Sequence, residues 1–473
     1  MTECNGEQLE FHALGRRVVT GRFDGGAISS DGGALLLREV EAKTRIVARM
    51  AEQFTDHRDP EAIEHSVREL IGQRVLGLAL GYEDLNDHDR LRHDPLLAAA
   101  VGKRDPEGRE RLREQDRGKA LASSSTLNRL ELTPADADAK ARYKKIVADP
   151  AGLDALLVDC FLDAHDSPPE TIWLDLDATD DPVHGNQEGR FFHGYYGHYC
   201  YLPLYIFCGE HPLCARLRPA NIDAAKGSVE EVARIVAHIR TRWPQARLIV
   251  RGDSGFCRDD LMSWCEANGV DFVLGLAKNE RLKTMSAPAA SDALLEHLRT
   301  GKAARVFAEF TYRTRDSWSR ERRVVVKAEH LSGGPNPRYV VTSLSAEQAD
   351  ARTLYEDLYC ARGDMENRIK EQQLDLFADR LSTHHLYANQ LRLYFSTFAY
   401  VLLCALRRLG LQDTELHTAQ CATIRTRLLK LGAQVRVSVR RVWIAFSESF
   451  PAQALFTAVL RNLRAAPAYA GAP

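Results

Sequence analysis

The stretch Thr171-Ile-Trp-Leu-Asp175-Leu-Asp177 marks the point where the periodicity of the sequence changes from helical to strand-like. Its alternation of apolar and polar residues predicts a strand, and 199–207 and 213–217 predict a second and a third. The elements predicted next are a helix over 228–242, a strand over 246–253, a helix over 259–268 and a strand over 271–276. The segment from about 165 to 276 therefore alternates in the way an α/β domain does.

The order strand, strand, strand, helix, strand, helix, strand predicts an RNase H-like core, which is a mixed sheet with flanking helices. After it, residues 277–345 contain three strand-like runs separated by Gly, Pro and Ser, which predict a β-rich insertion. Helices are predicted again over 346–410, as the second part of the core. The tail over 411–473 is predicted to be a basic helical region because arginine and lysine outnumber its acids.

The segment before the core, residues 1–150, is predicted to be a helical, DNA-binding region. Asp59-Pro60 is typical of a helix start, and the apolar residues after it recur at helical spacing. A second helix opens at Ala122-Ser-Ser-Ser-Thr-Leu-Asn-Arg. Its first turns carry the side-chain types that contact phosphates and base edges: Ser125, Thr126, Asn128 and Arg129. An ordinary capped helix without a DNA contact is the alternative.

Within the second part of the core, Tyr359-Cys-Ala-Arg362-Gly-Asp-Met-Glu366-Asn-Arg-Ile-Lys370-Glu-Gln-Gln373 combines a phenol, a guanidinium and a carboxylate. Steps of three and four place Tyr359, Arg362 and Glu366 on one face of a helix. A carboxylate binds a hard cation, whereas arginine donates to phosphate oxygens, so this face suits chemistry on a phosphodiester. A solvated helix face is the alternative.

Two further carboxylates are expected beside this helix. Asp177 ends the first core strand and Asp253 ends the fourth, and these strands are neighbours in the predicted order. Three carboxylates in one cleft repel one another unless cations neutralise them, so Asp177, Asp253 and Glu366 predict a site for two Mg²⁺ ions, with Mn²⁺ as a substitute. A turn at Asp253-Ser-Gly and a solvated acidic loop around Asp177 are the alternatives.

Composition restricts the class of protein without identifying a partner. The formal net charge is −2, so a DNA-binding surface requires local segregation of charge. The 10 cysteines show no CxxC spacing, which favours buried thiols over zinc or disulfides. Met1–Glu7 lacks the features of a signal peptide, and the apolar run 391–406 is interrupted by Arg392, which favours a buried helix over a membrane span. A cytoplasmic location is expected, with no membrane partner.

These motifs resemble the DDE transposases of bacterial insertion sequences, in the group with the signature Tyr-x2-Arg-x3-Glu-x6-Lys. Asp177-Ala-Thr is similar to the family's Asp-x-Thr motif, and Arg251-Gly-Asp253 is similar to the motif of its second aspartate. Tyr359, Arg362 and Glu366 match the signature, but Gln373 stands at the lysine position. Lys370, one turn earlier, is the substitute. The resemblance covers roughly residues 165–410.

The resemblance implies a transposase that binds the terminal inverted repeats of its element, cleaves the ends with divalent metal and joins them to target DNA. It implies a homodimer on DNA, associated with the bacterial nucleoid. In members that form hairpins, a tryptophan of the insertion stacks on a flipped base; Trp318, beside Arg322 and Arg323, is the candidate. The alternative is a tryptophan in the core of the insertion. Rival functions are a metal-dependent nuclease without joining activity and an inactive DNA-binding regulator.

Overall fold

The structure is a computed structural model that describes residues 8–469, so Met1–Glu7, which carries the signal-peptide expectation, lies outside the described residues. The chain divides into two compact units. The terminal unit comprises residues up to Asp149, Asp375–Phe377 and residues from Phe398 onward, and the central unit comprises Pro150–Leu374 and Ala378–Thr397.

The N-terminal part of the terminal unit is mainly helical, as predicted, but it also contains short strands. Its strands are β1 (Leu9–Leu14), β2 (Arg17–Gly21), β3 (Ala27–Ser29), β4 (Phe54–Asp56) and β5 (Ile146–Ala148). Its helices are α1 (Ala34–Thr44), α2 (Ile46–Ala51), α3 (Val67–Ala79), α4 (His88–Leu91), α5 (Pro95–Val101) and α6 (Ser124–Glu131), with 3₁₀ turns at Pro60–Ala62, Leu85–Asp87 and Glu114–Asp116.

The helix start expected at Asp59-Pro60 proves to be a 3₁₀ turn of three residues. The following helix, α3, begins at Val67 because Ser66 and Glu69 form a reciprocal capping box. The interior of this unit also holds an ion pair, in which Arg74 Nε lies 2.8 Å from Glu131 Oε1. A buried pair of this kind links α3 to α6 directly.

The central unit is built on one large mixed sheet. Its strands are β6 (Ile172–Ala178), β7 (Asp181–Pro182), β8 (Phe191–His193), β9 (His198–Tyr201), β10 (Leu204–Cys208), β11 (His211–Arg216), β12 (Leu248–Gly252), β13 (Asp271–Leu276), β14 (Ala304–Tyr312), β15 (Arg322–Leu331), β16 (Gly334–Pro335) and β17 (Arg338–Thr342). Its α-helices are α7 (Pro150–Asp163), α8 (Ser228–Arg242), α9 (Asp259–Ala267), α10 (Glu280–Met285), α11 (Ala287–Thr300), α12 (Ala351–Thr353), α13 (Gly363–Lys370) and α14 (Leu386–Leu409), of which α14 ends within the terminal unit.

The large sheet has the strand order β11-β10-β6-β12-β13-β17-β15-β14, with β16 paired to β15. Strands β6, β12 and β13 are parallel, whereas β10 and β11 are antiparallel to their neighbours. Each strand and helix predicted between residues 171 and 276 is present within a few residues of its expected bounds, except that 199–207 is divided between β9 and β10. Apolar residues of β6, β12 and β13 pack with α8 and α9 in one buried cluster.

The three strands expected in the segment 277–345 are present as β14, β15 and β17. The segment also begins with helices α10 and α11, which were not expected, and its strands extend the large sheet because β17 pairs with β13. Joining an existing sheet edge satisfies the backbone groups of both strands, which a free edge leaves unpaired. The segment after it is helical but irregular, with π-helical turns at Leu354–Tyr359 and Glu371–Asp375 and a 3₁₀ turn at Cys360–Arg362.

The C-terminal part of the terminal unit contains α15 (Cys421–Ile424), a π-helical turn at Arg425–Leu429, β18 (Ala433–Ser438), β19 (Arg441–Phe446) and α16 (Gln453–Ala465). The expectation of a helical tail is therefore wrong for β18 and β19, which form a hairpin. Strand β18 also pairs with β3, so a tertiary partner stabilises the extended conformation. Within residues 8–469, no helix has both the length and the apolarity needed to cross a bilayer.

Candidate active site

The first two carboxylates lie at one edge of the large sheet. Strands β6 and β12 are parallel neighbours, and Leu176 is in register with Gly252. Asp177 and Asp253 each follow these residues directly, so Asp177 is the last residue but one of β6 and Asp253 comes directly after the end of β12. Both therefore lie at the carboxyl ends of adjacent strands. This edge is where side chains of parallel strands converge on a common ligand.

Asp253 also organises the turn that follows it. Its Oδ1 accepts a hydrogen bond from the backbone N–H of Gly255 at 2.8 Å, as the cap of the 3₁₀ turn Ser254–Phe256. The turn chemistry and the position at the strand end therefore occur together. The hydrogen bond fixes the direction of the carboxylate.

Asp177 is partly buried and lies near two other acids. Burial raises the pKa of its carboxyl to about 6, the Arg362 guanidinium opposes that rise, and the carboxylates of Asp253 and Glu366 add to it. Burial is thus the main cause, and the acids add a smaller repulsion. Asp177 therefore lies within electrostatic reach of both other predicted carboxylates.

Arg362 connects two of these carboxylates in this structure. Its Nη1 lies 3.5 Å from Asp177 Oδ1, and its Nη2 donates to Glu366 Oε1 at 2.8 Å. The side chain of Arg362 is 14% exposed and that of Glu366 is 46% exposed. The guanidinium therefore partly neutralises the cluster from within, while Glu366 remains open to solvent.

The segment that carries Tyr359, Arg362 and Glu366 is not one regular α-helix. The π-helical turn ends at Tyr359, a 3₁₀ turn ends at Arg362, and α13 carries Glu366. Changes of helical pitch of this kind occur frequently at functional sites. The i,i+4 pair of Arg362 and Glu366 survives these changes, whereas the single face expected for all three residues does not follow from ideal helix geometry.

A buried ion pair that was not expected from the sequence holds the elements of the site together. Arg251 donates to both oxygens of Asp175, at 2.5 and 2.7 Å, and its Nη1 donates to the carbonyl of Leu358 at 2.5 Å. Asp175 is 4% exposed, so the carboxylate is a structural partner and not a solvated loop residue. The pair joins β6, β12 and the segment before Arg362. The register of β6 and β12 could have predicted this pair, since Arg251 lies opposite Asp175.

Tyr359 packs over the sheet beside Asp253. A Cβ atom added to Gly275 would lie 2.6 Å from Tyr359 Oη and 3.0 Å from the backbone nitrogen of Ser254. Only glycine permits this approach at that position of β13. A cavity of about 510 Å³ opens here, and its lining includes Asp253, Tyr359, Tyr355, Lys278 and Arg338. Two cations and two phenols therefore border the second carboxylate.

Gln373, at the lysine position of the signature, and Lys370, its expected substitute one turn earlier, have different environments. Gln373 is half-buried, and its Nε2 donates to the carbonyl of Asp180 at 3.2 Å, so it holds the loop that follows β6. Lys370 ends α13 and is exposed. Of these two side chains, Lys370 is the one presented to solvent.

The arginines and the tryptophan expected to contact DNA from the insertion have structural partners. Trp318 is 4% exposed and packs edge-on against Tyr312, with ring centroids 5.5 Å apart. Arg322 lies 2.7 Å from Asp259 and 2.8 Å from Glu266, and Arg323 pairs with Glu309. The base-stacking role expected for Trp318 is therefore wrong, because its ring is enclosed in the core.

The residues expected to contact DNA in the terminal unit border a second cavity. Ser125, Asn128 and Arg129 are exposed on α6, and Thr126 is partly exposed. The cavity, of about 640 Å³, is lined by Ser125, Thr126 and Arg129 together with further cations and one aromatic ring: Arg58, Arg92, Arg111, Arg113, Lys145 and Tyr143. Asp89 caps the start of α6 through Ser124, so the helix terminus itself is already satisfied.

The chemistry of the three carboxylates fits a hard divalent cation, because Mg²⁺ prefers oxygen ligands. Within residues 8–469, however, no three His, Cys, Asp or Glu side chains are grouped so that they could hold an ion. In this structure Arg362 contacts Asp177 and Glu366. The donor types therefore fit a metal, while a guanidinium contacts two of the three carboxylates.

Comparison with known proteins gives one finding for the whole chain. No curated protein matches the sequence. The sequence profile of the family described as transposase DDE domain group 1 matches residues 11–468, which is nearly the full length. The chain therefore belongs to the transposase DDE domain group 1 family.

Proposed function

We propose that the protein is a DNA transposase that binds the terminal inverted repeats of its element, cleaves the ends and joins them to target DNA. The observation that carries this proposal is the placement of Asp177 and Asp253 at adjacent parallel strand ends, with Glu366 linked to Asp177 through Arg362. Two strand-end acids and one helix acid are the groups that metal-dependent phosphoryl transfer needs.

The sheet supports an RNase H-like assignment for the core. Its first five strands along the chain occupy the order β11-β10-β6-β12-β13, in which the first core strand, β6, lies at the centre. On one side, β10 pairs antiparallel with both β6 and β11. On the other side, β12 and β13 run parallel to β6. This pattern is the one expected from the strand order in the sequence.

The proposed metal ligands are Asp177, Asp253 and Glu366. When bound, two Mg²⁺ ions, or Mn²⁺ in their place, would stabilise charge on the attacking and leaving oxygens and lower the pKa of an attacking water or hydroxyl. We infer that Arg362 then turns from Asp177 to a DNA phosphate, since its planar fork suits either partner. Asp175 and Arg251 keep the two strand ends and the Arg362 segment in place during this change.

The proposed DNA contacts fall on two surfaces. In the central unit, Tyr359, Arg362 and Lys370 hold phosphates beside the carboxylates. In the terminal unit, Ser125, Thr126, Asn128 and Arg129 read the terminal repeat. The cavity that Ser125, Thr126 and Arg129 border adds Arg113, Lys145 and Tyr143, whereas Arg92 and Arg111 in its lining already pair with Asp116 and Glu64. Two ends must be cut together, so we propose a homodimer on DNA in the nucleoid.

The test is an assay on DNA that carries the element's two ends. Asp253→Asn and Glu366→Gln should each abolish cleavage in Mg²⁺ while end binding is retained, because these carboxylates serve metal more than DNA affinity. Asp364→Asn is the matched control, since Asp364 is an exposed acid on α13 beside Glu366. Full cleavage by either site variant would overturn the assignment.

Two outcomes separate the rival functions. A protein that cleaves ends but never joins pre-cut ends supplied to it is a nuclease without strand transfer. A protein that binds ends equally well with and without Mg²⁺, and cleaves in neither case, is a regulator on an inactive scaffold. Joined product from pre-cut ends supports the transposase.

A further inference from the structure

A hairpin next to the candidate active site exposes aromatic rings to solvent. We call residues 190–199, Arg-Phe-Phe-His-Gly-Tyr-Tyr-Gly-His-Tyr, the aromatic hairpin; it contains β8 and the start of β9. Four of its rings are exposed by large fractions: Phe191 41%, Phe192 58%, Tyr195 86% and Tyr199 47%. A group of exposed rings of this size marks a binding surface more often than a random surface feature.

The aromatic hairpin is attached directly to the strand that carries Asp177. The hydroxyl of Tyr196 donates to the carbonyl of Ala178 at 3.3 Å, one residue after Asp177. His198 Nε2 lies 2.7 Å from Asp180 Oδ2, and β9 pairs with β7 immediately after β6. The exposed rings are therefore held at a fixed place beside the reacting edge of the sheet.

Neighbouring rings of the hairpin meet edge to face, and the Arg190 guanidinium lies over one face of Tyr199. Phe192 and Tyr199 meet edge to face with centroids 5.7 Å apart, and Tyr195 and Tyr196 do so at 5.0 Å. The Arg190 guanidinium lies 4.6 Å from the centroid of Tyr199 and adds one positive charge. Exposed aromatic faces with an arginine among them are the features on which unpaired bases of single-stranded DNA stack.

We propose that the aromatic hairpin binds unpaired nucleotides of the DNA strand whose phosphodiester lies at Asp177 and Asp253. This inference rests on the proposed function, because it takes the ligand to be DNA. The attachment of the hairpin to Ala178, the residue after Asp177, favours the ligand of the carboxylates, DNA, over a separate protein partner. With Trp318 buried, the hairpin supplies exposed rings at this site that the insertion tryptophan does not.

The test compares single-stranded and duplex DNA as probes of the full chain. The probes are a dye-labelled dT20 strand and a duplex of equal length, each titrated in fluorescence anisotropy. Phe192→Ala combined with Tyr195→Ala should weaken dT20 binding by about tenfold or more, because two rings are removed and each base–ring stack contributes about fivefold or more. Duplex binding should change by less than about twofold, since phosphate contacts dominate it.

Two controls make the result specific. Phe192→Tyr combined with Tyr195→Phe keeps both rings and should retain dT20 affinity. Leu298→Ala removes an exposed apolar side chain (70% exposed) from α11 of the same unit and should leave both affinities unchanged. Because Phe192 and Tyr195 are exposed, the alanine variant should fold normally, which its circular dichroism spectrum would verify.

Three results would overturn the inference: an alanine variant that binds dT20 like the parent, equal losses on dT20 and duplex, or a change in molar mass by light scattering that accompanies the loss. The last result would make the hairpin a contact between copies of the chain. If Asp253→Asn cleaved normally while the alanine variant still lost dT20 binding, the proposed function would fail and the single-strand site would stand. If Asp253→Asn abolished cleavage while the alanine variant bound dT20 like the parent, only the role of the aromatic hairpin would fail.

Discussion

The loop around Trp318 and the aromatic hairpin both combine aromatic residues with arginine in the sequence, yet the aromatic residues are buried in the first and exposed in the second. Trp318 is 4% exposed, whereas Tyr195 is 86% exposed. Trp318 lies between the long strands β14 and β15 and joins the main buried cluster of the central unit. The hairpin strands β8 and β9 are short and form a separate three-stranded sheet with β7. Whether an aromatic ring is buried or exposed therefore depends on the elements that pack against it and not on the local sequence.

The arginines of the two regions differ in the same way. Arg322 is held by Asp259 and Glu266, both on α9, so its charge is used inside the unit. Arg190 lies over the ring of Tyr199, on the surface of the aromatic hairpin. The charge of Arg322 is therefore already paired with carboxylates of another element, whereas that of Arg190 lies beside an exposed ring.

The largest effect expected from this comparison is on stability. Trp318→Ala should destabilise the protein by about 3–5 kcal/mol, because it removes a large buried ring and leaves a cavity. Tyr195→Ala should change the stability by less than about 0.5 kcal/mol, as an exposed substitution. Thermal unfolding followed by circular dichroism, with hydrogen exchange of β14 and β15 to localise the loss, would measure both. Equal melting temperatures would show that Trp318 is not part of the core.

The contrast also explains which parts of the fold could be predicted from sequence. Strands β6, β12 and β13 and helices α8 and α9 carry clear apolar periodicity and short connections, so their positions followed from local pattern alone. The placement of Asp177 and Asp253 at one sheet edge followed from the strand order. Those inferences needed only which elements exist and in what sequence they occur.

What could not be predicted depends on contacts between distant residues. The Asp175–Arg251 pair requires the register of β6 and β12, which no local pattern states. The expectation of helix over 411–473 fails at β18 and β19, where Gln-Val-Arg-Val-Ser alternates with the period of a strand. The contact of Arg362 with Asp177 joins residues 185 positions apart. Each of these features depends on tertiary contacts that the local sequence does not specify.

The second prediction concerns the two arginines. Arg322→Met should destabilise the protein by about 3 kcal/mol, because it leaves the Asp259 and Glu266 carboxylates without their buried partner. Arg190→Met should cost less than about 0.5 kcal/mol, since this side chain lies at the surface. Chemical denaturation of the two variants in parallel gives the difference. If Arg190→Met proved the more harmful, the hairpin would be a structural element and not an open surface.

The smallest expected effect tests how firmly the aromatic hairpin is attached beside Asp177. Tyr196→Phe removes the hydroxyl that donates to the Ala178 carbonyl at 3.3 Å, which should cost about 0.5 kcal/mol for a hydrogen bond of this length. Tyr195→Phe is the matched control, because its hydroxyl sits on a ring that is 86% exposed. Hydrogen exchange should therefore become faster in β8 and β9 of Tyr196→Phe and stay unchanged in Tyr195→Phe. Equal exchange in both variants would mean that the pairing of β7 with β9 alone positions the hairpin, and the exposed rings would then keep their place without the tyrosine anchor.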